Sequence, residues 1–275
     1  MTVPESDSPE LVDRSLASET AVEFRHRVET QAAALGDELS AGAFDNEVFS
    51  IGLELEGYAV DDDGHLARVP ETVFDTQSLN PELGYHNFEL NTTPDVFDEA
   101  GIAAQATKIR EHVETGRRKL ARAGLELVLD SLFTIPPPEG TLAYLSETES
   151  RDGVPIAENM RPSPRYYAID NDLLEQAGGR ISLVLPGISV SFPSILVESL
   201  ITSIQPHLQV PDIETFPSYY NLALRTLGPV LALATNSPFL PADLYELEVG
   251  GSIDSMADTG YGGTSLSDEQ ATISD

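Results

Sequence analysis

Two glutamates stand one residue apart, at Glu54 and Glu56, in the stretch FSIGLELEGYAV that covers residues 49–60. Apolar and polar residues alternate along it, which predicts a β-strand with one apolar face and both carboxylates side by side on the other. Glutamate is depleted in strands, and like charges held close together repel each other. Two explanations fit the pair: a solvated sheet face, or a bound cation whose charge offsets the repulsion.

Two later segments show the same asymmetry between a polar and an apolar face. In LGYHNFELNTT, residues 83–93, Glu89 shares one face with two asparagines and a tyrosine. In ESLITSIQPHLQV, residues 198–210, Gln205 and His207 share a polar face with serine and glutamine neighbours. If the three polar faces point the same way, one sheet surface collects three carboxylates, an imidazole and several amides. Glu82, seven residues before Glu89, could join them from the preceding loop.

Such a surface suits chemistry on nucleotide phosphates. Mg²⁺ and Mn²⁺ prefer carboxylate oxygens, and Mg²⁺ commonly shares its coordination sphere with substrate phosphate. Arg165 and Arg225 could bind a phosphate or a substrate carboxylate through their guanidinium forks, or form ordinary surface ion pairs. His207 likewise fits either a metal ligand or a surface or hydrogen-bonded histidine. No Walker loop, G-x-S-x-G elbow or H-E-x-x-H motif occurs in the sequence.

The remaining sequence predicts the elements that hold these strands. Apolar residues at helical spacing indicate helices over 18–42, 94–124 and 212–236, the last interrupted at Pro217 and Pro229. A DDDG turn predicts a hairpin whose return strand is HLARVP, residues 65–70. Further strands are expected over 125–133, 180–192 and 197–210, and a short helix from residue 164. Hairpins together with long helices indicate an α+β fold, with an antiparallel or mixed sheet and helices packed on one face.

Composition excludes several classes of function. Asp and Glu number 46 against 15 Lys and Arg, a net charge of -31, so nucleic-acid binding through a basic face is not expected. That charge is spread along the chain and indicates adaptation to a high-salt, halophilic cytoplasm. Cysteine is absent, which excludes disulfides, thiolate metal sites and cysteine nucleophiles. With no long apolar run and no signal-peptide pattern, we expect a cytoplasmic protein without membrane attachment.

The motifs GLELEGYAV, ELGYHNFELNT, HLQVPD and ALATNSPF occur in this order, and together they resemble the type 2 glutamate–cysteine ligases, the carboxylate–amine ligases, in a haloarchaeal version. The resemblance covers about residues 49–245. It implies a saddle-shaped, largely antiparallel sheet with helices behind it. It also implies ATP and Mg²⁺, with Mn²⁺ as a possible substitute. The expected reaction phosphorylates the γ-carboxylate of glutamate, and an amine such as cysteine then displaces the phosphate.

The resemblance also assigns roles to individual residues. The implied metal ligands are Glu54, Glu56, Glu82, Glu89 and His207. All of these except Glu82 are also expected to be catalytic residues. Asn236 lies in the Asn-Ser-Pro-Phe turn, which places it near the site. Residue chemistry and position, rather than the resemblance, add Arg165, Gln205 and Arg225 to Asn236 as the residues expected to bind substrate or ATP.

The two ends of the chain depart from this pattern. Residues 1–17 are polar and predict a flexible acidic arm, and residues 247–275 are rich in Gly, Ser and Asp and predict disorder. We expect residues 18–246 to form an incomplete catalytic domain, because the Gly-rich segment and further arginines typical of the family do not follow residue 245. Two alternatives stay open: an inactive, truncated member that binds nucleotide or glutamate, and an acidic interaction protein without catalysis.

Overall fold

An antiparallel six-stranded sheet organises the protein, and its central strand is the one that carries Glu54 and Glu56. The computed structural model describes residues 8–46, 48–74, 79–234 and 239–245. The strands of this sheet are β1 (Ser50–Val60), β2 (Leu79–Pro81), β3 (Asn87–Asn91), β4 (Asp95–Val96), β5 (Glu126–Val128) and β10 (Ile204–Gln209). The order is β10-β1-β3-β2, while β4 and β5 pair with the two ends of β1. Every pairing is antiparallel, which confirms the predicted α+β class.

Two short hairpins and six helices complete the described chain. The hairpins are β6 (Thr148–Arg151) with β7 (Val154–Ala157), and β8 (Ile181–Leu185) with β9 (Ile188–Phe192). The helices are α1 (Ser8–Leu16), α2 (Ser18–Ser40), α3 (Glu99–Arg122), α4 (Thr141–Ser146), α5 (Pro164–Gln176) and α6 (Phe216–Leu233). Short 3₁₀ turns occupy Glu71–Phe74, Ile195–Leu200 and Ala242–Leu244.

Helix α3 covers the apolar face of the sheet. The Asp98 carboxylate caps its first turn, accepting a 2.7 Å hydrogen bond from the backbone N–H of Gly101. Val113 and Leu120 then pack with Phe88 and Leu90 of β3 in one buried cluster. Burial of these side chains fixes the register of the strands, because a slip by one residue would expose every apolar side chain.

A second core lies at the Tyr58 end of β1, where the opposite sheet face is also covered. Tyr58 is fully buried and its hydroxyl donates a hydrogen bond to the Leu200 carbonyl. It packs with residues of α4, β7, α5 and β9. This core closes one end of the polar face and leaves the Glu54 end of β1 accessible.

The described part of the segment predicted as an N-terminal arm is helical. Residues 8–16 form α1, which packs against α5, and Val12 is buried in the second core. Leu16 packs against the same core, so α1 contacts it through apolar residues within a polar segment. The predicted tail over 247–275 lies outside the described residues.

Three details of the predicted elements were wrong. Residues 65–70 form no strand and make a single bridge, Val60 with Leu66. The predicted strand over 197–210 starts at Ile204, because residues 195–200 form a 3₁₀ turn. Pro229 stands inside α6 without ending it.

Helices α2 and α6 form where the periodicity predicts them but bury none of their described residues. Among the described helices, α3 is the one that packs its buried residues on the apolar face of the sheet. Among the described helices, none is both long enough and apolar enough to span a bilayer.

Candidate functional site

The polar faces of β1, β3 and β10 point the same way, which alternation within each strand had left open. On one side of β1, Glu54 lies opposite Asn91 and Glu56 lies opposite Glu89. On the other side, Glu54 lies opposite Gln205, and Gly52 is the partner of His207. Since directly opposed residues share a face in an antiparallel pair, these side chains form one surface, which we call the acidic face.

Glu54 and His207 form the exposed end of the acidic face. The Nε2 atom of His207 lies 3.0 Å from Glu54 Oε2, and the amide of Asn91 is 3.4 Å from Glu54 Oε1. The His207 side chain is 57% exposed and that of Glu54 is 29% exposed. The imidazole is therefore held by a carboxylate while it stays open to solvent, an arrangement in which both groups can reach a bound ligand.

Glu56 joins β1 to the segment that enters β10. Its Oε2 accepts a 2.7 Å hydrogen bond from the Ser203 backbone N–H, and its Oε1 accepts a 2.9 Å bond from the Gln205 side-chain amide. Both donors are neutral, and no cationic side chain among the described residues forms an ion pair with the Glu56 carboxylate. Gln205 thus lies on the acidic face, where it donates a hydrogen bond to the Glu56 carboxylate.

Three further carboxyl groups lie close enough to Glu56 to be affected by its charge. Burial raises the pKa of Glu82, and the charges of Glu89, Glu56 and Glu198 add to the shift. Burial also raises the pKa of Glu89, opposed by a hydrogen bond from Asn91 and reinforced by Glu54 and Glu56. An opposite charge close to a carboxyl group favours its ionised form, so a divalent cation bound here would offset the effects that raise these pKa values.

Glu198 is the acidic residue that the sequence pattern missed. Burial raises its pKa, and the charge of Glu56 raises it further. Strand alternation through residues 198–210 would have placed Glu198 on the apolar face. The 3₁₀ turn over Ile195–Leu200 breaks that alternation and brings Glu198 beside Glu56. The available signal was a single carboxylate within the apolar run SILVESL.

The other predicted binding residues that the structure describes form no hydrogen bond or ion pair with the acidic face. Arg165 is exposed in the first turn of α5, where its charge opposes the rise that burial and Glu82 cause in the pKa of Tyr166. Arg225 is exposed on α6, and its side chain has no hydrogen bond or ion pair with another described residue. Asn236 lies outside the described residues, so its predicted proximity to the site is not examined by the structure.

A cavity of about 380 Å³ adjoins the exposed end of the acidic face. Glu54, Asn91 and His207 line it, together with Gly52 and Pro94. Its volume lies in the range of small-molecule binding sites. Within the described ranges, no three His, Asp or Glu side chains already converge on one point at metal-ligand spacing.

Comparison with known proteins identifies the family. The family model described as glutamate–cysteine ligase family 2 matches residues 50–264, which is most of the chain. The chain belongs to glutamate–cysteine ligase family 2. The match begins at the first residue of β1 and includes all three strands of the acidic face.

One curated relative of this family 2 protein comes from Rhodococcus jostii (strain RHA1) and is provisionally named glutamate–cysteine ligase 2-1. The two are 27% identical over 197 residues, covering 69% of this chain and 42% of the relative. A solved glutamate–cysteine ligase from Francisella tularensis, in complex with AMP, is 13% identical with a TM-score of 0.33. That alignment covers 70% of this chain and 31% of the other. The family 2 chain thus spans less than half the length of both proteins.

Proposed function

We propose that this chain contributes the metal and nucleotide face of an ATP-dependent carboxylate–amine ligase that forms a γ-glutamyl amide. The observation that supports this most is the acidic face itself. Glu54, Glu56 and Glu89 point from adjacent strands to one side of the sheet, with His207 beside them. Membership in family 2 adds the reaction class, and the 380 Å³ cavity offers space for a substrate of amino-acid size.

The residues fit Mg²⁺, with Mn²⁺ as an alternative. Those that would hold the cation are Glu54, Glu56, Glu82, Glu89 and His207. Their oxygens and imidazole are hard or borderline ligands. Burial raises the pKa of Glu82 and of Glu89, and a cation bound beside them would favour their ionised forms. When bound, the cation would screen the triphosphate charge from an attacking carboxylate.

The proposed reaction needs no protein nucleophile. A γ-carboxylate oxygen of glutamate bonds to the terminal phosphorus of ATP and ADP leaves. The amine nitrogen then bonds to the acyl carbon, the carbon–oxygen bond to phosphate breaks, and the amine gives up a proton. The chain's own task is to hold and orient charged reactants. Gln205 and the Ser203 N–H fix the Glu56 carboxylate for this, and Asn91 fixes Glu54.

ADP release at molar KCl tests the proposal. The assay supplies ATP, Mg²⁺, glutamate and a panel of amines that includes cysteine. We expect amine-dependent ADP release by the wild type and by Glu111→Gln, which removes an exposed charge from α3. Glu56→Gln should lose it, although its amide oxygen can still accept the Ser203 hydrogen bond. Binding of ATP without amine-dependent release would support a binding role instead.

An acidic interaction protein is the weaker candidate. Glutamates lying apart on a sheet face with exposed apolar area would have favoured that function. They lie side by side, and their face is polar. The amine substrate, the protein partners and the cytoplasmic, high-salt location remain predictions.

A further inference from the structure

Helix α2, Ser18–Ser40, carries an apolar stripe along most of its length. The members recur every three or four positions, which places them on one face of the helix: Ala21, Phe24, Val28, Ala32, Leu35 and Leu39. Phe24 is 67% exposed, and Val28 and Leu35 are exposed as well. A face of this pattern normally packs against a partner, yet α2 has no buried residue among those described.

The described chain leaves this stripe open to solvent. Helix α2 contacts α1, and all but two of its 23 residues are exposed. Helices in proteins draw most of their stability from packing an apolar face rather than from intrinsic propensity. The helix also lies outside residues 50–264, so membership in family 2 does not account for the stripe. A partner for the stripe is therefore expected beyond the described residues.

A second copy of α2 fits the stripe when the two helices run antiparallel. With Val28 opposite Leu35 of the second copy, Phe24 lies opposite its Leu39, because both pairs share one midpoint along the helix. Ala32 lies next to that midpoint and faces the Ala32 of the second copy. The large apolar side chains of the stripe thus meet apolar counterparts, as residues do in the seam of a coiled coil.

Charged residues beside the stripe favour the antiparallel direction. Arg27 and Glu38 are separated by about three helical turns and so lie on the same flank of the stripe. Antiparallel pairing brings each Arg27 to within about one turn of the other copy's Glu38, whereas parallel pairing would set Glu38 against Glu38. Arg27 already forms an ion pair with Glu23 of its own helix, and its guanidinium keeps further donors for Glu38.

We propose that two copies of this chain associate through antiparallel α2 helices, in a dimer with two-fold symmetry. This association goes beyond the proposed ligase activity and does not depend on it. The stripe is about 28 Å long and about 10 Å wide, which is small beside the roughly 800 Å² that each partner buries in a standard stable complex, so the dimer should dissociate reversibly. Each chain carries a net charge of -31, so salt that screens this repulsion should tighten the dimer.

Sedimentation equilibrium of the full chain in 1 M KCl tests the dimer. Phe24→Glu puts a charge into the stripe, and Leu231→Glu makes the same change at a residue of α6 that is 72% exposed. We expect the wild type and Leu231→Glu to dimerise with equal Kd. Phe24→Glu should dimerise at least about a hundredfold more weakly, because both copies lose a ring from the interface.

Two results would overturn the proposal. One is a wild type that stays monomeric up to millimolar concentration. The other is an equal Kd for the two variants, or a larger loss with Leu231→Glu, since the interface would then lie elsewhere than on α2.

Disulfide cross-linking locates the interface without changing its charge. The sequence has no cysteine, so one introduced thiol reports on one position. Ala32 lies on the stripe, and Ala34 lies on the opposite face of the same helix. On mild oxidation we expect a covalent dimer from Ala32→Cys and little from Ala34→Cys. Equal yields from the two variants would refute the stripe as the contact.

A mixture of two further variants tests the direction of the helices. Val28→Cys and Leu35→Cys chains should cross-link better when mixed than when either is oxidised alone, because residue 28 faces residue 35 of the second copy. Val28→Cys chains that cross-link as well alone as in the mixture would show parallel helices and contradict the proposal. All four substituted positions are exposed in the single chain, so these changes leave its core intact.

Discussion

Gly57 separates Glu56 from Tyr58 in the centre of β1, and its replacement by alanine gives the sharpest prediction. A Cβ atom there would lie 2.8 Å from Phe88 Cζ, 3.0 Å from Phe88 Cε2 and 3.1 Å from the Val128 carbonyl oxygen. Phe88 is fully buried in the α3 core, so its ring cannot rotate away into solvent. Overpacking of this kind costs about 1–3 kcal/mol in a close-packed core.

The cost should appear as a lower Tm for Gly57→Ala. At about 2–4 °C per kcal/mol for a chain of this size, the expected loss is roughly 2–12 °C in thermal unfolding followed by circular dichroism. Gly36→Ala is the matched control, because its Cβ would meet nothing within 4 Å on the exposed surface of α2. Alanine there should raise stability by about 0.5–1 kcal/mol. A Gly57→Ala protein as stable as the wild type would refute the packing described for the acidic strand.

Three other predictions follow from charge and capping. Because the folded-state pKa of Glu89 is raised by burial, folding disfavours its ionised form, and the free energy of unfolding should fall as pH rises above 4.5 through that raised value. Glu89→Gln should make this fall shallower in urea titrations of the metal-free protein, and parallel pH profiles would contradict the assignment. Raising KCl from 0.1 to 1 M shortens the Debye length from about 10 Å to about 3 Å and should raise the Tm, given the net charge of -31. A Tm that does not change with KCl concentration would contradict this prediction. Asp98→Ala should lower stability by about 0.5–2 kcal/mol through loss of the α3 cap, and an unchanged urea midpoint would show that the 2.7 Å bond to Gly101 contributes nothing.

Alternation was enough to predict which residues of each strand share its polar face. The side-chain period of a strand is two, so Glu54 and Glu56 had to share a face, and burial of Phe88 and Leu90 placed Glu89 on the other face of β3. What alternation could not give was the order of the strands. The pairing of Glu54 with Gln205, 151 positions along the chain, depends on tertiary packing that no local pattern encodes.

The errors in the predictions from sequence have local structural causes. Glu198 was missed because the 3₁₀ turn interrupts the assumed period, and the sequence carries no Gly or Pro between residues 195 and 203 to mark the change. The prediction of a flexible arm over residues 1–17 was based on polar composition. In the described part of that segment, Val12 and Leu16 of α1 pack into the second core. Asn87 was placed on the correct face, but its unpartnered oxygen is visible only once the Ser199 carbonyl is seen to hold the other side of the amide.

Calorimetric titration of ATP with Mg²⁺ in 1 M KCl tests the central claim most directly, that the acidic face binds nucleotide through divalent cations. The wild type and Glu111→Gln should bind with equal affinity. Glu56→Gln should bind at least about tenfold more weakly, since loss of a group that holds or orients a metal commonly has that effect. Omitting Mg²⁺ should abolish the difference between the variants. Equal affinities for Glu56→Gln and Glu111→Gln in the presence of Mg²⁺ would contradict the account.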